Sequence, residues 1–200
     1  MPRGFTHQER ENITQRLLES GRELFGRYGI KKTNVEELAK KSGISKGAFY
    51  QFFSSKEELY FSIIRQYETK QHKNIYNLLS SNSDNARVQF KQVFLTIMNQ
   101  VDGDPFFKRL LSGEEYDYLW QKFTPEQLKS ALDADVDFAT NLVESWKEKG
   151  KLKVENPHLV AGVFRSLFFL YLHKSEIGEE VFPSVMDLLI ESAIEKLIEE

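Results

Sequence analysis

Apolar residues recur along this chain at the three-to-four-residue interval of a helix. No window of four to eight residues alternates apolar and polar with β-branched enrichment, so the sequence predicts an all-α fold. The helix punctuation agrees. A first helix is expected from about Thr6 to Tyr28, with Ile13, Leu17, Leu24, Phe25 and Tyr28 on its apolar face. Gly21 lies inside that pattern, where a side chain would crowd a neighbouring helix, and Gly29 fits a C-terminal cap. Thr33 and Glu36 have capping-box spacing and open a second helix, which carries Val35, Leu38 and Ala39 inward and ends at Gly43. Ser45 opens a short third helix, SKGAFYQFF, and Ser55 with Glu58 opens a long fourth from about Lys56 to Leu79.

The second half continues in the same way. After the polar loop SSNSDN, helices are expected from about Ala86 to Gln100 and from about Pro105 to Ser112. Thr124-Pro125 and Asn156-Pro157 are strong start signals, for helices ending near Gly150 and near Ser175. Gly178 breaks the chain, and a last helix runs to about Ile198.

Composition removes several classes. Cys is absent, which excludes disulfides and thiolate metal sites. Neither a metal-spaced His cluster nor a phosphate-cradling Gly loop is present, and no nucleophile stands with a base, so an enzyme is not expected and no cofactor or metal is assigned. The pair Glu114-Glu115 reads as a solvated loop. No apolar run reaches membrane-spanning length and the N-terminus lacks a secretory h-region, which gives a cytoplasmic expectation with no membrane partner. Charge is uneven: residues 1–54 carry ten Lys or Arg against six Asp or Glu, and the remainder 17 against 24. A basic head on an acidic body suits a chain that meets an anionic polymer with one end.

Helices two and three, separated by about three residues around Gly43, have helix-turn-helix spacing over roughly Thr33 to Phe53, with the motif proper at about 34–53. Leu38, Ala39, Ile44 and Phe49 are expected to pack on Leu24 and Phe25. That leaves Ser45, Lys46, Gly47, Ala48, Tyr50 and Gln51 on the outward face of helix three. Lys46, Tyr50, Lys56 and Thr33 are the expected phosphate contacts. Ser45, Ala48 and Gln51 are expected to face bases, and Gly47 and Ala48 let the backbone approach the groove floor.

The stretch from Ile13 to Ile64 resembles the DNA-binding domain of the TetR family of bacterial regulators. The matching residues are Leu24, Phe25, Gly29 and Thr33, then ELA..SGISKGAFY..F from Glu37 to Phe53 and the SKEEL that follows. Beyond Ile64 only the helical pattern is similar. Two positions depart from the family: Phe52 stands where a His near the DNA backbone is common, and Gln51 where a second aromatic is common. The resemblance implies an effector pocket in the body. Phe90, Phe94, Met98, Phe107, Tyr116, Trp120, Phe138 and Trp146 are its candidate lining, or else core filler. Their abundance suggests an apolar or aromatic small molecule.

The last two helices read as an oligomer interface. Phe164, Leu167, Phe168 and Tyr171 leave the penultimate helix apolar nearly all round, such a helix needs cover on every side, and the final helix adds Leu188, Leu189 and Ser192. A homodimer through a four-helix bundle would supply it. The expected organisation is therefore a DNA-binding helix-turn-helix domain at 1–54 and a helical effector-binding and dimerisation domain at 55–200. The expected activity is repression from a palindromic double-stranded operator, released by a small effector. The rival reading is a helical ligand-binding protein that kept this fold and lost DNA.

Overall fold

A computed structural model describes residues 5–80, 85–111, 115–126, 140–141, 144 and 146–199. The chain is all-α; among the described residues the only extended pairing is an isolated bridge between Leu152 and Ile198. Two compact units are formed. The first contains residues 1–69 with 101–123, and the second residues 70–100 with 124–200.

In the first unit, α1 (His7–Tyr28) starts in a complete capping box between Thr6 and Glu9. It is followed by α2 (Val35–Lys41), α3 (Lys46–Phe49) and the opening turns of α4 (Lys56–Ser80). The start of α4 deviates from a simple box. Ser55 Oγ accepts the Glu58 N–H as expected, but the Glu58 carboxylate takes both the backbone N–H and the hydroxyl of Ser54. Ile13, Leu17, Phe25, Leu38, Ala39, Phe49, Leu59, Tyr60 and Ile63 form one buried core. Gly21 meets its expectation: a Cβ there would lie 2.8 Å from Ile63 Cδ1 and 3.1 Å from Leu59 Cδ2. Tyr28, expected on the apolar face, is instead exposed, while Phe25 before it and Ile30 after it are buried.

Two further helices belong to this unit. In α6 (Pro105–Leu111), Phe106 and Phe107 enter the same core, and α1 packs directly against it. The second, α7 (Tyr116–Lys122), was not foreseen. Its N-cap residue Glu115 makes no side-chain capping bond, so the sequence carries no start signal. The carboxylate is used elsewhere. Glu115 is 4% exposed, not part of a solvated loop, and it accepts the Ile30 N–H at 2.8 Å and the Tyr60 hydroxyl at 2.9 Å. Glu114 lies outside the described residues.

The second unit holds most of α5 (Ala86–Gly103), then α8 (Pro157–Leu172), α9 (Lys174–Ile177) and α10 (Phe182–Leu197). Asn156 caps α8 through the His158 N–H, with Pro157 in the first turn as its sequence predicts. α8 stops at Leu172, short of the expected Ser175, and α9 follows as a separate turn ending at Gly178. Phe90, Val93, Phe94, Met98, Trp146, Val160 and Leu167 pack with Phe182, Met186, Ile190 and Ile194. The helix expected to start at Thr124-Pro125 lies largely outside the described residues.

Candidate nucleic-acid interface

The turn between α2 and α3 is set by Gly43, whose φ of +71° falls in the left-handed region that Gly adopts without strain. Ser42 and Gly43 donate their N–H groups to Leu38 and Lys40, and Ile44 reaches back to Ala39 at 3.0 Å, so the turn is closed by its own backbone. Leu38 and Ala39 from α2 and Phe49 from α3 are fully buried in the first core. With that face inward, the opposite face of α3 must point to solvent.

That outward face carries the expected residues. Ser45 is the N-cap, its Oγ accepting the Ala48 N–H at 3.1 Å. Lys46, Gly47 and Gln51 are exposed, Ala48 is half-buried, and Tyr50 is 51% exposed with its ring edge-on to Phe49. A Cβ at Gly47 would meet nothing closer than Ser45 Oγ at 4.0 Å, so internal packing does not require a glycine there. Helix α3 itself is one turn long. Turn bonds from Gln51 to Ala48 and from Phe52 and Phe53 to Phe49 extend it.

Two expected phosphate contacts are placed differently. Thr33 is 1% exposed, and its hydroxyl donates inward to the Gly29 carbonyl at 2.8 Å. The N-cap of α2 is its neighbour Asn34, in a full box with Glu37. The spacings Thr33/Glu36 and Asn34/Glu37 are equally good in the sequence. Burial of the Thr33 methyl and hydroxyl beneath α1 decides between them. Lys56 also turns inward: its ammonium donates to the carbonyls of Ile30 at 2.6 Å and Thr33 at 2.9 Å. It caps the α1–α2 connection from the start of α4.

Arg10 has a role that sequence reasoning missed. Its Nη2 donates to the Gln51 carbonyl at 2.9 Å, and its guanidinium lies 4.8 Å above the Phe52 ring. Phe52 in turn tilts against Phe5 at 5.6 Å. The partners are 41 positions apart, and no local pattern links them.

The candidate pocket residues are divided. Phe107 is buried in the first unit, whereas Phe90, Phe94, Met98 and Trp146 share the core of the second. Phe90 stacks on Phe164 at 4.9 Å and lies 5.9 Å from Trp146, whose indole nitrogen is buried without a hydrogen-bond partner among the described residues. The side chains of Tyr116 and Trp120, and all of Phe138, lie outside the described residues. Of the candidate interface residues, Leu167 is buried in its own unit, and Phe164, Phe168, Tyr171 and Leu189 are half-buried. Leu188 and Ser192 face solvent, Leu188 at 68% exposure.

Comparison with known proteins gives a consistent result. Residues 17–63 match the profile described as bacterial regulatory proteins, tetR family. An HTH-type transcriptional regulator of Bacillus subtilis, YuxN, is 31% identical over 111 residues, which is 56% of this chain and 37% of YuxN. The HTH-type transcriptional activator FasR of Mycolicibacterium smegmatis is 27% identical over 134 residues, 67% of this chain and 60% of FasR. The aligned regions thus span less than two-thirds of either relative. Among solved structures, FadR of Bacillus subtilis in complex with stearoyl-CoA is similar with a TM-score of 0.66 and 14% identity, over 88% of this chain and 97% of that one.

Proposed function

The chain belongs to the TetR family of bacterial regulatory proteins, and on that premise we propose that it is a homodimeric repressor that binds a palindromic operator and leaves it when a small apolar or aromatic effector binds. In this reading the helix-turn-helix makes it a transcriptional regulator. The repression, the operator symmetry and the effector class are our reading. One observation carries it: Leu38, Ala39 and Phe49 bury one face of the helix-turn-helix and leave Ser45, Lys46, Gly47, Tyr50 and Gln51 together on the other. Lys46 and Tyr50 can hold phosphates, Gln51 can pair with a base edge, and Gly47 lets the backbone lie close to the groove.

We assign recognition to residues 1–54 and effector binding with dimerisation to residues 55–200. Supporting a dimer, Leu159, Phe169 and Leu188 on α8 and α10 expose large apolar side chains. Supporting an apolar or aromatic effector are the apolar cluster of Phe90, Phe94, Met98 and Trp146 and the indole N–H, which has no acceptor among the described residues and which a ligand acceptor would engage. Two recognition helices of a dimer would enter successive major grooves, and an effector acts by binding one head spacing more tightly than the other.

The test is selection of a duplex from a randomised pool, followed by gel shifts. Enrichment of a palindrome, with Lys46→Ala and Tyr50→Ala each weakening it about tenfold or more, is the expected outcome. No enriched sequence would return the chain to the class of DNA-independent binding proteins, and variants that bind like the parent would remove this face of α3 as the contact surface.

A further inference from the structure

A recognition element of one helical turn with a following turn keeps its direction through local backbone bonds and through what packs on it. Helix α3 spans four residues, and beyond it the chain passes through Tyr50, Gln51 and Phe52 in a turn. Tyr50 and Gln51 therefore leave the protein from backbone that α3 alone cannot fix. Phe49 anchors one side of this turn by complete burial. The other side is anchored by Phe53, buried in the same core, and from α1 by Arg10, which donates to the Gln51 carbonyl at 2.9 Å and rests 4.8 Å above the Phe52 ring, which leans on Phe5. The donor is charged, planar and directional, and the ring below it sets its plane.

We propose that Arg10 is a positioning residue of the DNA interface: by gripping the Gln51 carbonyl over the Phe52 ring, it fixes the exit direction of Tyr50 and Gln51 and so contributes to base preference. The Phe at position 52, where the family commonly has a His, then exchanges a polar side chain for a platform under Arg10. Arg10 is itself exposed on a basic head, so the competing role is a direct phosphate contact. This inference rests on the DNA-binding reading, and the two fail in different ways.

The discriminating measurement uses the duplex enriched by the parent chain, titrated at several salt concentrations with parent, Arg10→Ala, Phe52→Leu and the double variant. A positioning role predicts that Arg10→Ala binds roughly tenfold more weakly, about 1.4 kcal/mol. It also predicts an unchanged dependence of log affinity on log salt. Phe52→Leu loses a similar amount and the double variant little more, because both act through one grip. Repeating the selection with Arg10→Ala should give a site degenerate at the base read by Gln51. A direct phosphate contact predicts instead a salt slope lower by about 0.9 and uniform weakening across sequences, and that result overturns the proposal. So does parent-like binding by Arg10→Ala. A parent chain that enriches no duplex removes the DNA reading itself and this inference with it. Arg10 is solvent-exposed, so thermal unfolding of Arg10→Ala is expected to match the parent and separates positioning from loss of fold.

Discussion

The buried carboxylate of Glu115 holds two donors from distant parts of the first unit, the Ile30 N–H and the Tyr60 hydroxyl. Glu115→Ala would leave both without an acceptor inside the core and is expected to cost about 2–4 kcal/mol, read from the urea midpoint. Gly29 stands against the same carboxylate with φ at +80°; a Cβ there would overlap Glu115 Oε1 as well as strain the backbone. Burial and then Glu115 push the Tyr60 phenol far above its ordinary value. Tyr118 is raised to about 12, first by burial and then by its bond to Glu57. The sign follows. The unfolded chain releases such a phenol proton near pH 10, before the folded one does. Stability is whole below about pH 10 and falls as pH rises towards 12. Urea midpoints measured across that window should decline, and Tyr118→Phe should flatten part of the decline.

At the scale of elements, α1 is the organiser of the first unit, because α2 and α6 both pack on it. The α1–α6 approach depends on Gly26. A Cβ there would lie 2.9 Å from the backbone nitrogen of Phe106, and backbone cannot step aside as a side-chain tip can. Gly26→Ala is expected to destabilise by about 1–3 kcal/mol and to lower the melting temperature, whereas Gly47→Ala should leave stability nearly unchanged. The open space at Gly47 makes that pair of variants a direct comparison. Any loss in Gly47→Ala should appear in duplex affinity instead. Lys56 acts at this scale too, since its ammonium ties the start of α4 to the carbonyls of the α1–α2 connection.

At the scale of the whole molecule, the proposal requires two copies. Leu188 is 68% exposed on α10 and contributes little to its own core, so Leu188→Glu should leave the monomer folded. Sedimentation is expected to show the parent as a dimer and Leu188→Glu shifted to monomer, with weaker binding to a two-half-site duplex. A parent that sediments as a monomer would contradict the bundle interface.

The all-α fold, most helix bounds and the helix-turn-helix are legible in the order of residues alone. These follow from local chemistry: apolar spacing, caps such as Ser45 and Asn156, and the left-handed turn at Gly43. It also separated the buried residues Leu38, Ala39 and Phe49 from the exposed Lys46, Tyr50 and Gln51, because one turn of helix fixes which side chains share a face. The fate of polar groups whose partners are far away in the chain emerges only once the helices are packed. Thr33 and Lys56 read as free contacts, yet they spend their donors on backbone carbonyls. Glu115 reads as solvated and is buried, and its use as an acceptor leaves α7 without a local start signal. Arg10 finds the Gln51 carbonyl 41 positions on. Spacing along a helix encodes direction, but a hydrogen bond between segments is set only when packing brings them together.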